Sequence, residues 1–373
     1  MNNITIREVK TRSDLREFIY LPSRVHSHNR NWLPPLYSDE WILYDPAKNR
    51  SFEYCDHIRL LAIRDGKCVG RIMGLINHRY NGIKNENNAR FCFLESFNDP
   101  EIVKSLLLRI EEWAKEKNAG AVKGPLAFSD KDPQGLQTEG FEMGAVLSSP
   151  TNASFLPVLV ESSGYSPDIE LVDYLADIPS QLPEMYSRVL ERINGRNGIE
   201  ILEFRTKREM KPWIPDILQV MNDTYGHIYG FVPLTEKEMG ELAARFMPLL
   251  DPRFIKAIRI NGIMASFVIA MPDIADGLRK AKGKLWPAGF IHILRSAKRS
   301  TRLLMLLGAI REEYRGKGLD AIMASKILES ARKSNMQTLD SHLILSHNTR
   351  MRAEYERLGG KVIRRYTIYS KQL

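Results

Sequence analysis

Two apolar runs in this chain end in dipeptides that force the backbone to reverse: 61–64 runs into Asp65-Gly66, and 256–260 runs into Asn261-Gly262. Asp, Asn and Gly tolerate the positive φ that a two-residue hairpin turn requires, and few other residues do. A second apolar run succeeds each turn, 69–76 and 263–271, so each half of the chain holds a β-hairpin. The order of the later elements also repeats. In the first half come a strand at 91–96 and a helix carrying Ile102, Leu106, Ile110, Trp113 and Ala114 on one face. A short strand at 121–122, a helix near 155–162, Gly164 and final strands around 165–178 complete it. In the second half come a strand at 303–310 and a helix with Leu319, Ile322, Met323, Ile327 and Ala331 at helical spacing. A strand at 339–345, a helix from about 349 to 358, Gly359-Gly360 and final strands at 362–369 close the series. One order of elements met twice predicts an α/β (α+β) protein built from two copies of one fold, residues 1–180 and 199–373, joined near 179–198. Segment 277–300 has no counterpart in the first half and reads as an insertion, basic and partly helical.

Charge separates the halves. From residue 280 onward there are 20 Lys and Arg against 7 Asp and Glu, and the rest of the chain holds 34 against 38. The whole net charge of +9 therefore arises in the last quarter. Such a field fits a nucleic acid, an acidic surface, a cofactor with several phosphates, or simply a solvated basic face. The most apolar stretch, 303–310, is strand-sized, so no membrane partner is expected. The start of the sequence has no apolar signal core, and Cys55, Cys68 and Cys92 are scattered without metal-ligand spacing. Reduced thiols, a cytoplasmic location and no bound metal are the expectation.

One segment carries chemistry. Arg315-Gly316-Lys317-Gly318 comes after the 303–310 strand and opens a helix. A helix start offers unpaired N–H groups and partial positive charge, glycines permit close approach of a phosphate, and Arg315 and Lys317 add cations. An ordinary glycine turn would share this pattern. The run Glu313-Tyr314-Arg315-Gly316-Lys317-Gly318-Leu319-Asp320 resembles the pyrophosphate loop of the GCN5-related N-acetyltransferases (GNAT). Arg315 and Gly318 stand at its fixed positions, and Asp320 replaces the usual Gly or Ala. An acid there either repels phosphate or sits beside the helix start as a dipole partner. A second stretch, Asn348 to Gly360 with Tyr355-Glu356 and Leu358-Gly359, resembles the family's last helix.

The resemblance covers about 200–373 and implies two tandem acyl-CoA N-acyltransferase-like domains, each a mixed, mostly antiparallel sheet flanked by helices. It implies an N-acyltransferase that takes acetyl-CoA or another acyl-CoA as cosubstrate and acylates an amine on a small molecule or peptide. Leu307, Gly308, Ala309 and Ile310 would lie along the pantetheine, with a backbone N–H polarising the thioester carbonyl. Arg315, Gly316, Lys317, Gly318 and Leu319 would hold the pyrophosphate, and Asn348 would precede the last helix. Tyr355 is the expected general acid. His342, placed by strand alternation on one face with Asp340, is the candidate base, with a structural histidine as the plain alternative. The first half offers Asp99, Pro100 and Glu101 where the second has its glycine loop, so it should not bind CoA in this way. Its loop around 124–144 is free to reach the acceptor side. Two further readings stay open: aminoacyl transfer from a charged RNA, as in the Fem-like transferases of related architecture, and a non-catalytic binding protein.

Overall fold

The computed structural model describes residues 4–147, 149–193 and 198–373. Residues 194–197, within the expected junction, lie outside the described residues. Among the described residues fourteen strands form one sheet: β1 (Thr5–Glu8), β2 (Cys55–Arg64), β3 (Lys67–Asn77), β4 (Asn88–Ser96), β5 (Ala121–Gly124), β6 (Leu136–Glu139), β7 (Ser166–Asp177), β8 (Ile199–Glu203), β9 (Ile255–Ile260), β10 (Ile263–Pro272), β11 (Arg302–Ile310), β12 (Thr338–Asp340), β13 (Ile344–Leu345) and β14 (Lys361–Gln372). Both expected hairpins form. Asp65 and Gly66 turn β2 into β3 at φ 49° and 73°, and Asn261 and Gly262 turn β9 into β10 at 51° and 84°.

The order across the sheet is β1-β2-β3-β4-β5-β14-β7-β12-β11-β10-β9-β8, with β6 paired to β14 and β13 to β7. Among the described residues only β4–β5 and β11–β12 are parallel, each bridged by a helix: Pro100–Glu116 in the first half, Leu319–Lys333 in the second. Asp99 caps the first of these helices and Pro100 opens it, as their residue types require. Its buried Ile102, Leu106 and Ile110 pack on one face of β2–β4, and Phe18 and Ile19 of the helix Arg12–Val25 cover the other. In the second half Ile322 and Ile327 cover one face, and Ile217, Val220 and Met221 of the helix Ile214–Thr224 cover the other. Each half is thus a helix–sheet–helix sandwich, matching the expected mixed sheet flanked by helices.

Three details differ from the sequence reading. The final strands are single, long and exchanged: β7 of the first half lies beside β12, and β14 lies beside β5. Alternation says where a strand is buried and nothing about which neighbour it takes. The strand expected over 339–345 is interrupted, because β12 ends at Asp340 and His342 takes φ 61°. Asp340 and His342 therefore do not share a strand face. The insertion is more helical than expected, with helices Ala275–Ala281 and Gly289–Arg299 packed as a hairpin.

Candidate functional site

The exchange of strands leaves a gap beside β11. Its parallel pairing with β12 runs only from Arg302–Thr338 to Leu304–Asp340, while β11 continues to Ile310. Beyond Leu304 its other edge stays paired with β10, with a register shift opposite Ile269–Ala270. Gly308, near the end of the strand, is consequently solvent-exposed, its N–H and C=O held on that side by a side-chain hydroxyl, that of Tyr225, and not by a neighbouring strand. Leu307 and Ile310 are half-buried and Ala309 is buried. The first half has the same divergence after β4 and β5, but it is closed. There Leu126 N–H donates to Phe91 C=O at 2.9 Å and Arg90 donates to Ala127 C=O at 2.8 Å, so the chain's own segment fills the gap.

The glycine loop lies at the far end of β11. Gly316 and Gly318 sit at φ 71° and 83°, a region that disfavours side chains with a Cβ, and Gly318 is the residue before the helix Leu319–Lys333. A Cβ on Gly316 would meet nothing within 4 Å, so its backbone is open to solvent. The first bond into the helix runs from Ile322 N–H to Gly318 C=O, which leaves the amides of Leu319 and Asp320 without intrahelical acceptors. Asp320 turns its carboxylate onto Ala321 N–H at 3.0 Å, as a dipole partner of the helix start. The exposed Arg315 and Lys317 flank the loop, with Lys317 Nζ 5.0 Å from the Tyr314 ring. A cavity of about 450 Å³ opens beside it, lined by Asp223, His227, Arg311, Glu312 and Arg315 among others. The helix start in the first half is sealed instead: Asp99 accepts from Glu101 N–H at 2.9 Å and pairs with Arg64 at 2.6 Å.

Tyr355, on the helix Thr349–Arg357, is buried and stacks on Tyr174 with centroids 5.9 Å apart. Burial, with the carboxylates of Asp340 and Asp173 nearby, pushes its phenol well above the ordinary tyrosine range. Among the described residues no group hydrogen-bonds its hydroxyl. Tyr174 is held in turn by Arg352 Nε at 2.9 Å and Glu356 at 2.6 Å, so the stack is fixed from behind. Asn348 caps this helix, its side chain accepting from Met351 N–H at 3.1 Å. His342 lies in the bend between β12 and β13, and burial lowers its pKa. Its Nδ1 accepts Leu343 N–H at 2.5 Å, so that nitrogen can take up a proton only after this bond breaks.

Four charged residues meet where β12 stops. Arg364 of β14 pairs with Asp173 of β7 and lies 3.7 Å from Asp340, and Asp340 pairs with Arg302 of β11. Asp173, Asp340 and Arg364 are all buried. Burial and the adjacent Asp340 push the Asp173 carboxyl up to about 8. Arg364 also donates to Gly144 C=O at 2.5 Å, and Arg279 donates to Ala145 C=O at 2.7 Å, so the 124–144 loop of the first half does reach across to the second.

No family model matches the chain. Protein YghO of Escherichia coli is 24% identical over 376 residues, spanning 99% of this chain and 95% of that protein. The bacterial ceramide synthase of Caulobacter vibrioides is 25% identical over 380 residues, spanning all of this chain and 98% of that one. Among solved structures, a tandem GNAT protein from the clavulanic acid biosynthesis pathway superposes with a TM-score of 0.56 at 11% identity, over 99% of this chain and 98% of that chain. A GNAT protein from Sphaerobacter thermophilus gives 0.53 at 12% identity, over 99% and 95%. The chain has a tandem GNAT fold.

Within the tandem GNAT fold, two features of the gap were missed in the sequence. The first is Tyr225, which comes directly after the helix Ile214–Thr224. Its hydroxyl accepts from Gly308 N–H and donates to Gly308 C=O, each at 3.1 Å. Nothing in its local sequence marks it. The second is the Asp173–Arg364–Asp340–Arg302 cluster, whose members lie far apart in sequence. An Arg and an Asp at buried positions of apolar strands were its only trace.

Proposed function

We propose that this chain is an acyl-CoA-dependent N-acyltransferase with one CoA site, in the second half. The observation that carries the reading is the open edge of β11 at Leu307–Ile310, running straight into the Gly316–Gly318 loop. An extended pantetheine can pair with that edge while its pyrophosphate meets the loop amides. Gly308 N–H is the group that would polarise the thioester carbonyl. The Tyr225 hydroxyl stands where that carbonyl would bind and would be displaced by it. As the amine nitrogen attacks, the N–C bond forms, the C–S bond breaks, and the thiolate takes the Tyr355 proton. The proton leaving the amine passes to water or, once Nδ1 is released, to His342. Asn348 shapes this site by capping the helix that carries Tyr355.

The relative named a bacterial ceramide synthase supports one reading of the acceptor. A ceramide is the fatty amide of a long-chain amino alcohol, so that name describes the same bond. A long-chain amine is accordingly the acceptor class we assign. Calorimetry with acetyl-CoA and longer acyl-CoAs, then mass spectrometry of reactions with sphinganine and with small hydrophilic amines, tests this. A stoichiometry near one CoA per chain and a fatty amide of sphinganine are expected. No CoA binding, or salt-sensitive RNA binding in its place, would refute it.

A further inference from the structure

The helical hairpin 275–299 presents a face that the fold does not cover. Trp286 is 77% exposed, Leu294 55%, Phe290 40% and Ile291 37%, and Trp286 lies against Phe290 with centroids 5.4 Å apart. These side chains form the turn and outer face of the second helix, whose inner residue Ile293 is buried with Leu278, Ile274 and Val146. Lys280, Lys282, Lys284, Arg295, Lys298 and Arg299 surround them, all exposed. None of the six forms an ion pair among the described residues. The hairpin is also rigid: a Cβ on Gly277 would stand 2.6 Å from Ile293 Cα, so the two helices touch backbone to backbone.

Protruding aromatic and aliphatic groups ringed by unpaired cations suit one surface chemistry. Tryptophan and phenylalanine seat at the headgroup boundary of a bilayer, and lysine and arginine beside them meet anionic headgroups. A second copy of the same face would bring six cations against six, which charge repulsion opposes. We infer that this hairpin docks the protein on an anionic lipid bilayer. The absence of any helix long and apolar enough to cross a membrane among the described residues is compatible, because such a hairpin lies in the interface. The buried side of the hairpin packs on Leu304 and Leu306 of β11, near the Arg302 end of that strand. The glycine loop lies beyond Ile310, which is roughly 13–20 Å farther along the extended strand from those two leucines. The hairpin therefore packs on the first half of the strand whose far end leads to the donor loop. The inference rests on surface chemistry and not on the acyl-transfer reading.

The full chain is sedimented with vesicles of phosphatidylcholine alone and of phosphatidylcholine with phosphatidylglycerol, at low and high salt. Binding to the anionic vesicles should be at least tenfold tighter than to the neutral ones and should weaken with salt. The variant Trp286→Ser/Phe290→Ser/Leu294→Ser should lose at least tenfold in vesicle affinity with its melting temperature retained. A second variant, Lys282→Glu/Lys284→Glu/Lys298→Glu, should lose the preference for anionic vesicles. The inference is overturned by failure of the wild-type protein to sediment with either vesicle, or by undiminished binding of the serine variant. It is equally overturned by a wild-type dimer that the serine variant converts to monomer without vesicle binding, or by RNA binding through the lysines with no vesicle binding. CoA titration is read separately, so the fate of the acyl-transfer proposal does not alter this result.

Discussion

Replacing Gly316 with Val tests the donor site against a matched control. Gly316 stands at φ 71° and a Cβ there meets nothing within 4 Å; Gly66, in the β2–β3 turn, stands at φ 73° and is equally open. The added Cβ meets nothing in either turn, so the cost common to both is the left-handed backbone itself, about 1–2 kcal/mol for a residue with a Cβ. Denaturant unfolding should show similar losses for Gly316→Val and Gly66→Val if each loop keeps its shape. At Gly316 a second effect is expected. The valine side chain projects into the space a pyrophosphate would occupy, and any relaxation of φ turns the neighbouring amides away. Calorimetric titration should then show at least a tenfold loss of CoA affinity, about 1.4 kcal/mol, for Gly316→Val and none for Gly66→Val. Equal CoA affinity in the two folded variants and the wild-type protein would refute the placement of the pyrophosphate.

Three other perturbations bear on the gap beside β11. Tyr355→Phe should lower turnover on the order of a hundredfold while acyl-CoA affinity changes little, provided chemistry limits the rate; wild-type turnover would make Tyr355 a packing residue. Tyr225→Phe removes the phenol that bonds both polar groups of Gly308, which should cost about 1 kcal/mol of stability and tighten acyl-CoA binding. Weaker binding would show that Tyr225 supports the donor instead of yielding to it. Burial and the adjacent Asp340 raise the Asp173 pKa above its unfolded value, so between the two values the folded state holds a proton that the unfolded chain has lost. Its contribution is complete below the unfolded pKa, about 4, and is lost as pH rises through the folded one, at up to roughly 1.4 kcal/mol per pH unit. Asp173→Asn should remove that slope from unfolding free energies measured across the window; parallel pH profiles for variant and wild type would disprove the protonated state.

The legible part of the molecule was the part fixed by local rules. The Asp-Gly and Asn-Gly turns, the helix opened by Asp99-Pro100 and the glycine loop all depend on residues adjacent in sequence, and the structure has each at its expected place. Tyr355 and Asn348 were singled out through resemblance, and the structure adds that Asn348 caps the helix on which Tyr355 is stacked. The strand assignment failed at 341–343, where a left-handed His342 replaces the pleat. That conformation depends on tertiary surroundings, including the Asp173 and Asp340 carboxylates that Ser341 and His342 adjoin. Tyr225 and the Arg364 cluster were invisible for the same reason: their partners are 83 and 191 residues away. Pattern reading places a residue in or out of a core, but it does not say which buried tyrosine reaches which strand.

The exchanged strands give a prediction about the two halves that the repeated pattern alone would reverse. A chain composed of two similar folds invites cutting at the junction, and residues 199–373 contain the open β11 edge, the glycine loop and Tyr355. Yet β7, which belongs to the first half, is the strand between β12 and β14. Without the first half, β14 loses every strand it pairs with, β5, β6 and β7, and the short β12 loses one neighbour, so the twelve-residue β14 is left unpaired and exposed to mispairing. Arg364 loses Asp173 as well. At a pH where Asp173 is ionised, breaking this buried ion pair costs about 3–5 kcal/mol, a large share of the roughly 5–15 kcal/mol that stabilises an ordinary domain. Asp340 offsets part of this, at 3.7 Å from Arg364, but Asp340 is already paired with Arg302. The isolated fragment 199–373 should therefore aggregate or fail to unfold cooperatively. Co-expressed 1–193 and 198–373 should associate and restore one CoA site. Separate expression, melting curves and CoA titration of the fragments decide the matter. A monomeric 199–373 fragment with a sharp transition and wild-type CoA affinity would show that β7 is dispensable, and that the buried Arg364 cluster contributes little to holding the site.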